Sequence, residues 1–165
     1  MGRKLSFVLG LIFLMSLTAR SQDKVELFGG YSFERFNGSP SVNLNGWEVS
    51  GQYKFLNVLG VVADLDAHYG SPSGVDFRTV PFMAGPQVSL PARISPFVHV
   101  LVGVGHLRIG GFTDNSFSTA LGAGIDARIA PRFSWRIFQA DDAVTRFFGG
   151  TQNNARISTG IVFRF

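Results

Sequence analysis

Residues 155–165 read Ala-Arg-Ile-Ser-Thr-Gly-Ile-Val-Phe-Arg-Phe and alternate without a break. Side chains in a strand have period two, so Ala155, Ile157, Thr159, Ile161, Phe163 and Phe165 share one face, while Arg156, Ser158, Gly160, Val162 and Arg164 share the other. One face is apolar and the other carries two arginines. The length fits the roughly 9 to 11 residues with which a tilted β-strand crosses a bilayer.

Seven more runs of this kind precede it from Lys24 onward. Residues 46–55 set Trp47, Val49, Gly51, Tyr53 and Phe55 against Glu48, Ser50, Gln52 and Lys54. Residues 24–36 oppose Leu27, Gly29, Tyr31 and Phe33 to Glu26, Gly30, Ser32 and Glu34, and residues 59–69 oppose Val61, Ala63, Leu65, Ala67 and Tyr69 to Asp64, Asp66 and His68. A run over 77–90 contains Pro81 and Pro86, each of which removes a ladder donor. Residues 96–109 are apolar on both faces near Val98–Val104, which leaves their orientation open. Residues 116–129 oppose Phe117, Leu121, Ala123 and Ile125 to Ser118, Gly122, Gly124, Asp126 and Arg128. Residues 132–145 begin cleanly, with Arg136 opposite Trp135 and Ile137, then lose phase around Phe138 and Gln139, as a β-bulge would make them do.

Connections alternate in kind. The tight ones lie near 56–58, 91–95 and 130–131, and the longer polar ones at 37–45, 70–76, 110–115 and 146–153. An even number of strands joined in this way predicts an all-β, closed antiparallel up-and-down eight-stranded transmembrane β-barrel with both termini on the short-turn, periplasmic side. Closure is required, since lipid offers no partner to an unpaired strand edge. Tyr31, Phe33, Trp47, Tyr53, Phe55, Tyr69, Phe133, Trp135, Phe163 and Phe165 are candidates for its interfacial girdles.

The N-terminal residues carry a different signal. Arg3 and Lys4, an apolar run from Leu5 to Leu17, and Ala19-Arg20-Ser21 have the three-part form of a secretory signal peptide, 1–21, which leaves 22–165 as the barrel domain. The run is too short for a comfortable helical span, and no later stretch approaches about 18 uninterrupted apolar residues, so a helical membrane protein is not expected. Of the 15 Lys and Arg residues three lie in this segment, so 12 remain against 11 acids. A near-neutral mature chain gives no case for nucleic acid. With no cysteine, disulfides, thiol catalysis and thiolate metal sites are excluded.

The stretches VELFGGYSFERF (25–36), GWEVSGQYKF (46–55), GPQVSLPARISPF (85–97) and NNARISTGIVFRF (153–165) resemble the OmpA-like eight-stranded outer-membrane barrel superfamily, and within it a set of small bacterial barrels. The resemblance implies an outer-membrane location and contact with its lipid. It also implies passage by periplasmic chaperones to the barrel-assembly machinery, with Phe163 and Phe165 as the assembly signal. In such relatives the seventh strand reads R-x-x-Q-x-D and then an aromatic. Arg136, Gln139 and Asp141 fit, and Asp142 stands where the aromatic is expected.

A barrel this narrow is filled by its own side chains. Glu26, Glu48, Lys54, Asp64, Asp66, His68, Asp126, Arg128, Arg136, Asp141, Arg156 and Arg164 are therefore expected to meet inside as a network, with Glu34 beside them. Gly122 and Gly124 would leave room there for arginines. Unpaired buried charge is costly, and the two signs look nearly balanced. This predicts a monomeric, non-enzymatic protein with a structural or surface-interaction role and a largely plugged interior, without cofactor or metal. The alternatives are a narrow porin-like channel lined by the same groups, a lipid-modifying enzyme, and a soluble lipocalin-like barrel. For the enzyme, none of the three histidines has the His-x-Ser spacing, and the candidate triad is His68 with Ser71 and Asp66. His99 and His106, seven apart, should face opposite sides of one strand and so not share a metal.

Overall fold

The computed structural model describes residues 24–37, 41–147 and 150–165; the segment read as a signal peptide lies outside them. Eight strands follow in order: β1 (Val25–Phe36), β2 (Val42–Lys54), β3 (Leu59–Gly70), β4 (Phe77–Ser89), β5 (Ile94–Ile109), β6 (Phe112–Arg128), β7 (Phe133–Phe147) and β8 (Gly150–Arg164). Each pairs antiparallel with its sequence neighbour, and β8 returns to β1, so the sheet has no free edge. The architecture is the expected closed, all-β, up-and-down barrel.

One ladder row can be followed round the wall. It runs from Val25 to Tyr53, Val61 and Pro86, crosses to Val100 in the register fixed by Ala84–Val102 and Gln87–His99, and continues through Leu121, Asp142 and Ala155. It returns to β1 at Arg35, ten positions beyond its start at Val25. This stagger goes with strands tilted by roughly 40° and an interior only as wide as the side chains that fill it.

The outer wall carries a continuous apolar band. Val49, Leu65, Phe82, Val104 and Phe117 are successive ladder partners on β2 to β6, and all are exposed. At the short-turn end the Phe133 and Phe163 rings meet tilted and the Phe163 and Phe165 rings edge to face, with centroids 4.9 and 4.5 Å apart, beside exposed Tyr53, Phe55 and Trp135. Tyr31, Trp47 and Tyr69 stand exposed towards the other end. β5 resolves with Val98, Val100, Val102 and Val104 outward and Phe97, His99, Leu101 and Leu107 inward.

Two prolines do not break β4, which runs unbroken from Phe77 to Ser89. The expected bulge in β7 is present: the register shifts between Arg136 and Gln139, and both Ile137 and Phe138 are exposed. Thr159, opposite the extra residue, donates its hydroxyl to the Arg136 carbonyl at 2.9 Å. Beyond the bulge Gln139 and Asp141 point inward, while Asp142 points outward between Leu121 and Ala155.

The long connections are shorter than the sequence suggested. β5 and β6 are joined by Gly110 and Gly111 alone, whose φ values of +55° and +111° suit glycine. β2 begins at Val42 and β6 at Phe112, so Asn43, Asn45, Thr113 and Asn115 belong to strands. In this loop-end part of the barrel the pattern inverts. Arg35, Asn43, Arg78 and Arg108 face out, while Phe36, Val42, Leu44, Phe77 and Leu107 pack together inside, with the Phe36 and Phe77 rings edge to face at 4.9 Å.

Placing a charge on the band tests these assignments. Leu121→Arg or Val49→Arg is expected to cost roughly 2 to 4 kcal/mol in folding into lipid vesicles. Equal stability of variant and parent in a urea titration would mean that the outward face is misassigned.

Candidate functional site

Inward residues from all eight strands meet in one polar cluster, with β4 and β5 contributing Thr79, Gln87 and His99. Its centre is Arg156 on β8, which is only 2 % exposed. Its guanidinium donates from Nε to Asp141 Oδ2 at 2.9 Å and from Nη2 to Asp64 Oδ2 at 2.8 Å, and its Nη1 contacts Asp66. Glu48 lies 3.9 Å from Nε. The alternation of β3 puts Asp64 and Asp66 side by side on the inner face, and the bulge in β7 turns Asp141 towards them.

A second arginine organises the short-turn end. Arg136 grips Asp126 with two nitrogens, at 2.9 and 3.3 Å, and donates to Gln139 Oε1 at 2.6 Å. Its guanidinium is held between the rings of Phe28 and Phe97, at 4.2 and 4.4 Å from their centroids. Glu26 then pairs with both Arg164 (2.8 Å) and Lys54 (2.6 Å). Gln139 Nε2 links the two centres, donating to Glu48 at 3.0 Å and to Asp141 at 2.8 Å.

His68 sits deepest. Its Nε2 is 2.8 Å from Ser32 Oγ, and its Nδ1 lies 3.0 Å from Asp66 and 3.2 Å from Glu34. That is the order of contacts of a serine, a base and an orienting acid, but with Ser32 in place of the expected Ser71, whose hydroxyl donates to Asp76 in the β3–β4 loop. Ser32 and His68 are both fully buried, and Ser32 accepts from Ser158 at 3.0 Å. A nucleophile must reach its substrate, and these two face only other interior groups.

Eleven of the twelve network residues read from the sequence meet here. Arg128 does not: it is exposed at the end of β6, on the rim beside Glu26, Lys54 and Arg164. The expected balance of charge is corrected with it. Among the described residues seven carboxylates (Glu26, Glu34, Glu48, Asp64, Asp66, Asp126 and Asp141) are buried against three arginines and Lys54, whose side chain is 10 % exposed. Two imidazoles stand among them, and one was missed in the sequence. His99 Nε2 is 2.7 Å from Asp141 Oδ1, while His106 faces outward, as the seven-residue spacing requires.

The two inward glycines of β6 serve partners other than the arginines expected. A Cβ on Gly122 would strike Asp141 and His99, and one on Gly124 would strike the Phe97 ring that carries Arg136. Two voids beside the cluster measure about 20 and 10 Å³, room for one water at most. Among the described residues no group of histidines and acids is arranged to hold a metal ion.

These contacts set two expectations. Arg156→Ala leaves three buried carboxylates without their cation and should destabilise the refolded barrel by about 3 to 5 kcal/mol. Gly122→Ala should displace the His99–Asp141 pair and cost about 1 to 3 kcal/mol. Both are read by urea titration in vesicles against an exposed control such as Thr113→Ala.

No family model matches the chain, and no curated protein matches it. Solved structures do. Neisserial surface protein A superposes with a TM-score of 0.69 at 14 % identity, covering 88 % of this chain and all of that one. The attachment invasion locus protein Ail of Yersinia pestis gives 0.61 at 18 % identity over 86 % of this chain and 99 % of its own. The outer membrane protein OprG of Pseudomonas aeruginosa gives 0.60 at 10 % over 86 % and 95 %. The chain thus has the fold of the small, OmpA-like eight-stranded outer-membrane barrels.

Proposed function

We propose that this chain is a monomeric integral protein of the outer membrane, exported by residues 1–21, with residues 22–165 as its barrel. Its lumen is closed, and its role is structural or surface-interacting, without catalysis and without cofactor. The observation that carries a closed lumen is the cross-strand bonding of the interior. Gln139, Glu48, Asp141 and Arg156 join β2, β3, β7 and β8 across it, and Phe36, Val42, Leu44, Phe77 and Leu107 pack over the loop-end mouth. An ion would have to break several charge-assisted bonds and then pass an apolar constriction.

The apolar band supports membrane residence, since so wide an exposed apolar surface has no place on a soluble barrel. Phe163 and Phe165, at the end of β8, are the proposed signal to the barrel-assembly machinery, delivered by periplasmic chaperones. A surface role accords with two structures of the same fold, one named a surface protein and the other an attachment invasion locus protein, the latter also seen in complex with the heparin analogue sucrose octasulfate.

Refolded protein is expected to leave planar bilayers silent, and to migrate differently in unboiled and boiled gel samples of a membrane fraction. Conductance steps that shift when Glu48 or Arg136 is neutralised would establish the porin-like alternative instead. His68→Ala should lower stability while leaving lipid mass spectra unchanged on overexpression; an altered lipid profile with the parent and not with the variant would make the chain a lipid-modifying enzyme.

A further inference from the structure

Just beyond the apolar band, the outer wall carries a row of successive ladder partners: Asn45 on β2, Tyr69 on β3, Arg78 on β4, Arg108 on β5 and Thr113 on β6. Two arginines therefore stand directly opposite each other, with Cβ atoms about 5 Å apart as in any such pair. Both are exposed. Like charges so placed repel and weaken a sheet, and among the described residues neither arginine makes an ion pair. Asp76, two positions before Arg78, instead accepts the Ser71 hydroxyl at 3.1 Å.

The surroundings are shaped for an anion with an apolar body. Arg78 lies over the Tyr69 ring at 5.1 Å, which orients its guanidinium. His106 is exposed one outward position below Arg108, with Nδ1 2.6 Å from Asn115 Oδ1. Arg78, Val80, His106 and Arg108 line a recess of about 270 Å³, and a second hollow, of about 760 Å³, borders both arginines on the loop side. Four residues below Arg78 and Arg108 on their own strands come Phe82 and Val104, with Phe117 beside them, all more than half exposed. That step is about 13 Å along a strand. One molecule with charge above and hydrocarbon below spans it.

We propose that Arg78 and Arg108 form a binding site on the outer wall for the phosphate of an acidic, multi-acyl lipid in the leaflet facing the loops. The two guanidinium forks take the phosphate oxygens, a match that a lysine ammonium offers only as a point charge. Tyr69 and His106 flank the head group, and the acyl chains lie over Phe82, Val104 and Phe117. The bound phosphate relieves the repulsion between the arginines. The inference rests on the outer-membrane reading above.

The test is native mass spectrometry of the full barrel, refolded in neutral detergent and mixed with diphosphoryl lipid A. The parent protein should retain the lipid at least about tenfold better than R78Q/R108Q, since the loss of even one of the two charge-assisted contacts is on that scale. Arg35→Gln, on a distant part of the wall, should leave retention unchanged. Dephosphorylated lipid should bind the parent no better than the double variant binds the phosphorylated form. Equal retention by parent and R78Q/R108Q would overturn the proposal, as would equal retention of the dephosphorylated lipid or displacement by millimolar inorganic phosphate, which would mark a simple anion site. Loss on Arg35→Gln as large as on the double variant would equally overturn it, as a general charge effect. Heat-modifiable migration reports the fold of every variant. A parent that folds and binds no lipid sinks this proposal alone, whereas one that never inserts into vesicles sinks the membrane reading.

Discussion

A β-sheet whose outer face is as apolar as this one leaves an unpaired edge with no good partner, and in a lipid setting no backbone N–H or C=O could go unpaired at all. The pairing of β8 with β1 answers that constraint, and the other features follow. Eight strands with a stagger of ten residues enclose a space that their own side chains fill. Period-two alternation then sends every second residue into that space. In the stretch that crosses the band, the outward positions must be apolar, so the polar residues of the chain collect inside. Buried charge has to be paired, and a network is the result.

That network is not symmetric in sign. Arg156 answers Asp64, Asp66 and Asp141 at once, so removing one cation affects three anions. Arg136 is different, since it is held by the Phe28 and Phe97 rings as well as by Asp126, and its long planar group makes an apolar contact and an ionic one together. The glycines of β6 belong to the same arrangement: the space a Cβ would take at Gly124 is occupied by Phe97, and at Gly122 by the His99–Asp141 pair. Interior volume here is shared among strands, and no residue can be enlarged independently of those across from it.

Where the wall crosses the band, the sequence could be read almost residue by residue. The sides of β1, β2, β3 and β8 follow from alternation alone, and even the bulge in β7 shows as a break in phase. Legibility fails where the solvent on the two faces changes. At the loop end the outward face meets water and the inward face meets Phe36, Leu44, Phe77 and Leu107, so the pattern inverts, and Asn43, Asn45, Thr113 and Asn115 look like loop. β5 hid His99 because valines outside and Leu101 inside give no contrast between its faces. Arg128 misled for the opposite reason: its phase is inward, but the strand ends there and the side chain reaches water.

The bulge shows how little sequence separates this interior from a failed one. Ile137 and Phe138 both face outward because one residue has no partner opposite it on β8. In a regular strand running up from Trp135 and Arg136, Gln139 and Asp141 would point outward onto the apolar wall, while Phe138 and Asp142 would point inward. Arg156 would then lose one of its carboxylates, and Glu48 would lose the Gln139 amide. Thr159 stabilises the irregularity by donating to the freed Arg136 carbonyl while accepting from the Trp135 indole at 3.2 Å. A single unpaired residue, fixed by one hydroxyl on the neighbouring strand, therefore decides which alternate residues of β7 beyond the bulge enter the core, and it leaves Asp142 on the outer wall where an aromatic would have extended the apolar band.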